Sequence, residues 1–224
     1  MFGETVGEIL PLAVAVAISP LPIAAVILML LSRNADLNGL AFLAGWVVGL
    51  VAVGALVLAF GSASSSDTGE ASQTSGIVRI VIGVVFVFLA VRQWRARPRR
   101  GKKAQTPGWL ARVEDLNPFK SFGAAFLLAA VNPKNLGLTI AAASTIAAAG
   151  LTSQDEIGVF AIYLLVACST IAAPVFYYLL AGERAERGLD NLKSWLITHN
   201  ATVMAVLLLV IGAKLIGDGI GILS

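Results

Sequence analysis

The sequence predicts an all-α integral membrane protein with six transmembrane helices, built as two three-helix repeats of inverted topology. The first observation is composition: 58% of the 224 residues are hydrophobic and only 13% are charged, whereas a soluble domain usually carries about 25% charged residues. The second is six apolar runs, each near the roughly 20 residues that a helix needs to cross a bilayer. The runs do not alternate polar with apolar residues, so membrane-barrel strands are excluded. The third is a proline motif that recurs in the first and fourth runs.

The apolar runs predict where each helix and each half of the protein lies. The helices are placed at 5–32, 38–61, 76–97, 120–149, 155–181 and 198–223. Residues 1–97 form the first repeat, 98–119 a basic cytoplasmic linker, and 120–224 the second, inverted repeat. The first run follows Glu4 and Glu8 rather than basic residues, so we do not expect a cleaved signal peptide.

Basic residues are concentrated on one predicted side of the membrane. Nine lie between 92 and 120, and the loops at 33–37 and 182–197 bring that side to thirteen of the sixteen. Lysine and arginine favour the cytoplasmic side, so this side is predicted to be cytoplasmic and both termini to lie outside. The cluster between 92 and 120 is interpreted as this topology signal, and contact with anionic lipid headgroups is the alternative.

The proline motif lies near the middle of each of its two runs. Ser19-Pro20-Leu21-Pro22 and Asn132-Pro133-Lys134-Asn135 each place a polar capping residue directly before a proline. Proline breaks a continuing helix but suits the first position of a new one, and serine and asparagine suit the position before it. Helices 1 and 4 are therefore predicted to be broken at Ser19-Pro20 and Asn132-Pro133.

Further matches at corresponding positions indicate an internal duplication. Ala17-Ile18-Ser19-Pro20 corresponds to Ala130-Val131-Asn132-Pro133, and Ile80-Val81-Ile82-Gly83 corresponds to Leu209-Val210-Ile211-Gly212. Because three helices per half reverse the direction of the second half, this order of motifs is typical of an inverted-repeat transporter.

The two breaks form the candidate substrate-binding site. A helix that starts inside the membrane presents unpaired N–H groups and a partial positive charge, and Lys134 would add a full charge. Two such starts meeting near the midplane would attract an anion. The alternative is that the prolines are ordinary kinks and that Lys134 snorkels or pairs structurally. The candidate substrate-binding residues are Ser19, Pro20, Pro22, Asn132, Pro133, Lys134 and Asn135.

Other residues predict pairing, packing and the absence of catalytic chemistry. Lys214 and Asp218, four residues apart, predict an ion pair with a structural role, or with a gating role as the alternative. Gly45 and Gly49 predict close packing of helix 2. One cysteine, one histidine and no acid–base or nucleophilic cluster predict no catalytic residue, no metal, no cofactor and no enzyme activity. We expect no nucleic-acid partner.

Three stretches resemble a known family. Ile18-Ser19-Pro20-Leu21-Pro22, Val91-Arg92-Gln93-Trp94-Arg95 and Val131-Asn132-Pro133-Lys134-Asn135 are similar to the glycopeptidolipid-addressing and sulfolipid-addressing (GAP/Sap) family of the lysine-exporter superfamily. The resemblance covers essentially the whole chain. It implies a bacterial plasma-membrane protein with an inverted three-plus-three fold that exports a cell-envelope lipid, with the residues of both breaks carried over as its site.

The predicted function is export or translocation of a cell-envelope (glyco)lipid or another anionic amphiphile by alternating access of the two halves. Its partners would be membrane lipids and the amphiphilic substrate. The alternatives are a small-solute or amino-acid exporter, and a non-transporting scaffold that binds enzymes of envelope-lipid biosynthesis. The apolar faces of helices 2 and 5 suit a homodimer as well as they suit lipid.

Overall fold

The computed structural model describes residues 1–32, 34–64, 73–97 and 117–223, and every regular element in these ranges is a helix. Arg33 and most of the linker predicted at 98–119 lie outside the described residues. The elements in chain order are α1 (Phe2–Ala17), α2 (Pro20–Leu30), α3 (Ala35–Ser64), α4 (Gln73–Ala96), α5 (Pro118–Ala130), α6 (Pro133–Ala148), α7 (Ser153–Ala181), a 3₁₀ turn (Gly182–Ala185) and α8 (Glu186–Leu223).

The lengths of the apolar helices suit a bilayer. Two helical stretches of the described residues are long and apolar enough to cross one, Ala35–Ala59 in α3 and Ser153–Leu223 across α7 and α8. The pairs α1–α2 and α5–α6 also meet this criterion when each pair counts as one span, which raises the number to four. The hydrocarbon core that such helices match is about 30 Å thick.

The first bent pair is separated by two residues. α1 ends at Ala17, α2 begins at Pro20, and the two helices are bent by 53°. Pro20 occupies the first position of α2, where a helix does not need the backbone N–H that proline lacks. The new direction of the chain therefore starts at a residue that could not have continued α1.

The second bent pair has the same construction. α5 ends at Ala130, α6 begins at Pro133, and the bend is 63°. The Asn132 side-chain oxygen accepts from the backbone N–H of Lys134 at 3.1 Å. Asparagine in this position, followed by proline, is a strong start signal for a helix.

The described chain divides into two compact units, and the first holds both bent pairs. It comprises Met1–Ser65 and Thr106–Leu196, taking only the described residues of these ranges. Within it α3 packs against α5, α6 and α7, and α1 packs against α6 and α7. The largest side chains that are fully buried in this unit include Trp46, Tyr163, Phe42, Ile9, Ile27 and Met29.

Glycines let α3 lie directly on the backbone of α5. A Cβ added to Gly45 would clash with the carbonyl group of Phe122. A Cβ on Gly49 would lie 2.8 Å from the Cβ of Ala129. Two helices approach this closely only where side chains are missing, so the close packing predicted from the two glycines is confirmed.

The second unit contains α4 and the part of α8 after Leu196. Gly83 and Gly212 face each other, and a Cβ on either would lie 2.8 Å from the carbonyl oxygen of the other. Gly76 and Gly219 repeat this contact seven residues away along each helix, at 3.1 and 2.7 Å. Because the residue numbers run in opposite directions, the two helices are antiparallel and in contact through their backbones.

We expect Gly83→Ala to destabilise the protein by about 1–2 kcal/mol, because the new methyl group overpacks a backbone contact. The matched control is Gly217→Ala on α8, where nothing lies within 4 Å of the added Cβ. There the same change should stabilise by about 0.5 kcal/mol, since alanine is the better helix former. Thermal unfolding in detergent, followed by circular dichroism, measures the sign of the stability change for each variant. Shifts of the same sign would show that this glycine contact does not limit stability.

The connection predicted as a loop at 182–197 is helical, and the prediction is wrong on this point. α7 ends at Ala181, and the φ of 56° at the next residue, Gly182, lies in the left-handed region that glycine tolerates. After one 3₁₀ turn, α8 starts at Glu186. Charged residues suggested a loop, but on an exposed helix they pair: Lys193 bonds Asp190 at 2.6 Å.

Candidate functional site

The proline motif removes the donors that would pair the last carbonyl groups of α1. In a continuous helix the N–H groups of residues 20 and 22 would bond the carbonyls of Val16 and Ile18. Pro20 and Pro22 have no N–H. The break therefore leaves carbonyl oxygens inside the protein that need other donors, because an unpaired one in an apolar setting costs several kcal/mol.

Lys134, in the first turn of α6, supplies the donor for the Ile18 carbonyl and for one further carbonyl of α1. Its ammonium nitrogen donates to the carbonyl oxygens of Ala15 at 2.8 Å and Ile18 at 2.9 Å. It also donates to the Ser19 hydroxyl oxygen at 2.8 Å. That hydroxyl in turn donates to the Val16 carbonyl at 2.7 Å. An ammonium has three protons, and all three are used here.

Two further side chains donate to carbonyl groups of the helices that end at the breaks. The Thr170 hydroxyl, from α7, donates to the Ala17 carbonyl at the end of α1. The Asn135 amide donates to the Leu128 carbonyl of α5 at 3.0 Å. The side-chain oxygen of Asn135 also lies 3.4 Å from the hydroxyl oxygen of Ser19. The end of α1 is thus held by side chains of α6 and α7, and Asn135 bonds the end of α5 to the start of α6.

The site is closed to solvent and carries one positive charge. Lys134 is 6% exposed, Ser19 is 2% exposed and Asn135 is fully buried. Among the described residues no carboxylate lies within ion-pairing distance of Lys134. The compensating charge comes instead from the carboxyl end of α1, where helix dipoles sum to about −0.5 of an elementary charge.

The starts of α2 and α6 offer few donors to an anion. Two of the first three residues of α2 are prolines, and the N–H of Ile23 already bonds the Ser19 carbonyl at 3.1 Å. In α6, Pro133 has no N–H, and the N–H of Lys134 is bonded to the Asn132 side chain at 3.1 Å. The half-helix starts are therefore poorer anion sites than an ordinary helix start, and the Lys134 ammonium is the principal positive group.

The structure brings together some of the predicted site residues and explains the others. Ser19, Lys134 and Asn135 meet in one hydrogen-bonded cluster. The prolines leave carbonyl groups without their usual backbone donor because they have no backbone N–H. The Asn132 side chain caps the start of α6. Lys214 and Asp218 form the predicted ion pair at 2.6 Å, but they lie in the second unit, with side chains 46% and 34% exposed.

Several polar groups of the first unit were not predicted from the sequence. The buried Thr139 hydroxyl bonds the Asn135 carbonyl at 2.7 Å and the Tyr163 hydroxyl at 2.9 Å. The buried indole N–H of Trp46 has no acceptor in the part of the chain that the structure describes. Thr139 follows Asn135 by four residues, a spacing that could have indicated a hydroxyl bonded back to its own helix.

A polar pocket lies elsewhere in the first unit, between the end of α2 and the start of α8. It has a volume of about 440 Å³ and is lined by Leu31, Glu186, Arg187, Asp190 and Asn191. Two carboxylates against one guanidinium make its lining net negative. The pocket is therefore less suited to an acidic ligand than the Lys134 cluster is.

Long apolar helices, two helix pairs bent at proline steps and a buried lysine bonded to a helix end define a membrane protein that is helical throughout the part of the chain that the structure describes. Within that class the chain belongs to the family described as Sap, sulfolipid-1-addressing protein, whose model matches residues 9–221. The family predicted from the motifs is thereby confirmed. The comparisons with curated proteins and with solved structures find no match.

Proposed function

We propose that this protein moves an acidic cell-envelope lipid across the bacterial plasma membrane, toward the outside. The observation that carries the proposal is the family match over residues 9–221, because the family description names a sulfolipid, a lipid with an acidic headgroup. A family relation over almost the whole chain supports a shared class of substrate. It does not specify the headgroup.

The proposed architecture has six spans with both termini outside. The bent pairs α1–α2 and α5–α6 would each be one span, and α3, α4, α7 and the last part of α8 the others. Arg97 stacks over Trp94 at 3.9 Å from the ring centroid at the end of α4. An aromatic ring beside a cation is typical of a membrane–water interface, and supports placing this end on the cytoplasmic side. The matching order of bent pairs and straight helices supports an inverted repeat.

In the proposed mechanism the Lys134 cluster links substrate binding to movement of the two halves. An acidic headgroup that reached the ammonium would compete with the carbonyls of Ala15 and Ile18, since hydrogen bonds between two ions are the stronger ones. Loss of those bonds would release the end of α1 from the start of α6. The anion would favour the released arrangement because it binds only there, which is the requirement for a ligand-driven change.

Large buried side chains inside the first unit support an amphiphile over a small solute. Trp46 and Phe42 of α3 and Tyr163 of α7 are fully buried, and both of these helices pack against α6, which carries Lys134. A small-solute exporter of the lysine-exporter type would need an enclosed cavity. A lipid needs only a polar path for its headgroup, with its acyl chains remaining in the bilayer.

The test is movement of lipid in proteoliposomes. A fluorescent sulfated glycolipid, a zwitterionic lipid with the same chains, and labelled lysine and leucine are compared for the wild type, Lys134→Met and the exposed-site control Lys120→Met. We expect the wild type to move the sulfated lipid selectively, and Lys134→Met to slow this by about tenfold or more, equivalent to about 1.4 kcal/mol at the barrier. Lys120→Met should match the wild type.

The other outcomes separate the alternatives. Amino-acid efflux without lipid movement would make the protein a small-solute exporter. If folded protein moves neither, the transport proposal fails and a scaffold for envelope-lipid biosynthesis becomes the better interpretation. Unfolding curves recorded on the same preparations distinguish an inactive variant from an unfolded one.

A further inference from the structure

We propose that the broken end of α1 is a binding site for a monovalent cation, and that the Lys134 ammonium is a tethered cation that fills it. The inference goes beyond the proposed function, because it concerns what the oxygen cluster binds whether or not lipid is transported. The ligand class is a primary ammonium ion or an alkali cation of similar size.

The cluster has the composition of a cation site. Three neutral oxygen atoms converge on one point: the carbonyls of Ala15 and Ile18 and the hydroxyl of Ser19, at 2.8, 2.9 and 2.8 Å from the ammonium nitrogen. Unwound carbonyls at the carboxyl end of a half-helix are the groups that coordinate Na⁺ in transporters with broken helices. Here a protein cation takes that position.

The charge at this point also requires a cation. The carboxyl end of α1 is partially negative. Pro22 has no N–H for the Ile18 carbonyl, and the Ser19 N–H, which would pair the Ala15 carbonyl in a continuous helix, bonds the Ala17 carbonyl instead at 2.9 Å. In the part of the chain that the structure describes, no carboxylate takes part in this cluster. The oxygen atoms are therefore arranged for a single positive charge and not for a salt bridge. Removal of the lysine side chain should leave a vacant cation site.

The experiment fills that vacancy from solution. Lys134→Ala removes three carbons and the nitrogen, which together correspond to n-propylammonium. Thermal unfolding of the full-length variant in nanodiscs is followed against n-propylammonium chloride. 1-Propanol and tetramethylammonium chloride, at matched ionic strength, serve as the neutral and the non-donating controls. Lys134→Met is the matched variant, because its side chain occupies the space without a charge.

We expect n-propylammonium to raise the Tm of Lys134→Ala saturably, by on the order of 3 °C, as a ligand that binds only the folded state does. Neither control compound should do so, and Lys134→Met should not respond. Adding Ser19→Ala to Lys134→Ala should weaken the apparent affinity about tenfold, the effect of one lost bond to a charged group. Equal responses of Lys134→Ala and Lys134→Met, or to propylammonium and propanol, would overturn the proposal.

A second measurement uses the wild type and does not depend on the variant folding. Since the ammonium already fills the site, the Tm of the wild type should be the same in sodium, potassium and tetramethylammonium chloride at equal ionic strength. A saturable rise specific to sodium or potassium would show that a free cation is needed beside the lysine, and would overturn the tethered-cation proposal. Both measurements report stability alone, so they are independent of the lipid-transport test.

Discussion

Replacing Lys134 with methionine should lower the free energy of unfolding by about 3 kcal/mol. The change leaves the carbonyls of Ala15 and Ile18 without their donor, and each buried acceptor left unpaired costs about 1–3 kcal/mol. The desolvation cost of the buried ammonium opposes this loss, because the variant with methionine has no charge to bury. The carbonyls decide the balance, since they remain buried in both proteins and find no other donor in an apolar setting.

The measurement is a denaturant titration in mixed micelles, with Lys120→Met as the control. Lys120 is exposed at the start of α5, so its replacement should change stability by less than about 0.5 kcal/mol. Lys214→Met removes the exposed ion pair with Asp218 and should cost less than about 1 kcal/mol. A Lys134→Met protein as stable as the wild type would mean that the desolvation cost of the ammonium equals the value of its three hydrogen bonds.

The positions where the helices break could be predicted from short-range chemistry. The end of α1 before Pro20 and the start of α6 at Pro133 follow from what proline does to the residues next to it. The six-helix inverted repeat remains a prediction, since up to four spans are recognised among the described residues. The charged stretch after Gly182 was misinterpreted because polar composition does not separate an exposed helix from a loop.

The partners of Lys134 could not be predicted from sequence, because Ala15, Ile18 and Ser19 lie more than 110 residues away along the chain. The need for a donor could have been. Pro20 and Pro22 each remove the donor for the residue four positions earlier, so Val16 and Ile18 were certain to need other partners. The sequence motif predicted an anion at the start of each new helix. In the structure the Lys134 ammonium instead bonds carbonyl groups at the end of α1.

The sequence also contained part of the signal for the glycine contacts of the second unit. The match between Ile80-Val81-Ile82-Gly83 and Leu209-Val210-Ile211-Gly212 was used only as evidence of duplication. In the structure Gly83 and Gly212, the last residues of the two stretches, face each other. Two similar stretches that run in opposite directions can pack on each other through the same small residue. The sequence did not show this, because the register of two helices depends on all their contacts.

The second large effect is expected from Gly45→Val, which should destabilise the protein by about 3 kcal/mol. The added side chain would clash with the backbone of Phe122. The carbonyl oxygen, carbonyl carbon and Cα of that residue all lie within 3.0 Å of a Cβ built on Gly45. A flexible side chain could move aside, but a helix backbone can do so only if α3 and α5 separate. Overpacking of this kind costs about 1–3 kcal/mol, and more where backbone must shift.

The control for Gly45→Val is Gly123→Val on α5, which carries the same change in helix propensity. Nothing lies within 4 Å of a Cβ built at Gly123, so only the intrinsic preference of valine, a few tenths of a kcal/mol relative to glycine, is felt there. Subtracting the two values in one denaturant titration isolates the cost of separating α3 from α5. A difference below about 1 kcal/mol would mean that the helices can move apart without loss, and that the first unit is not held together by this contact.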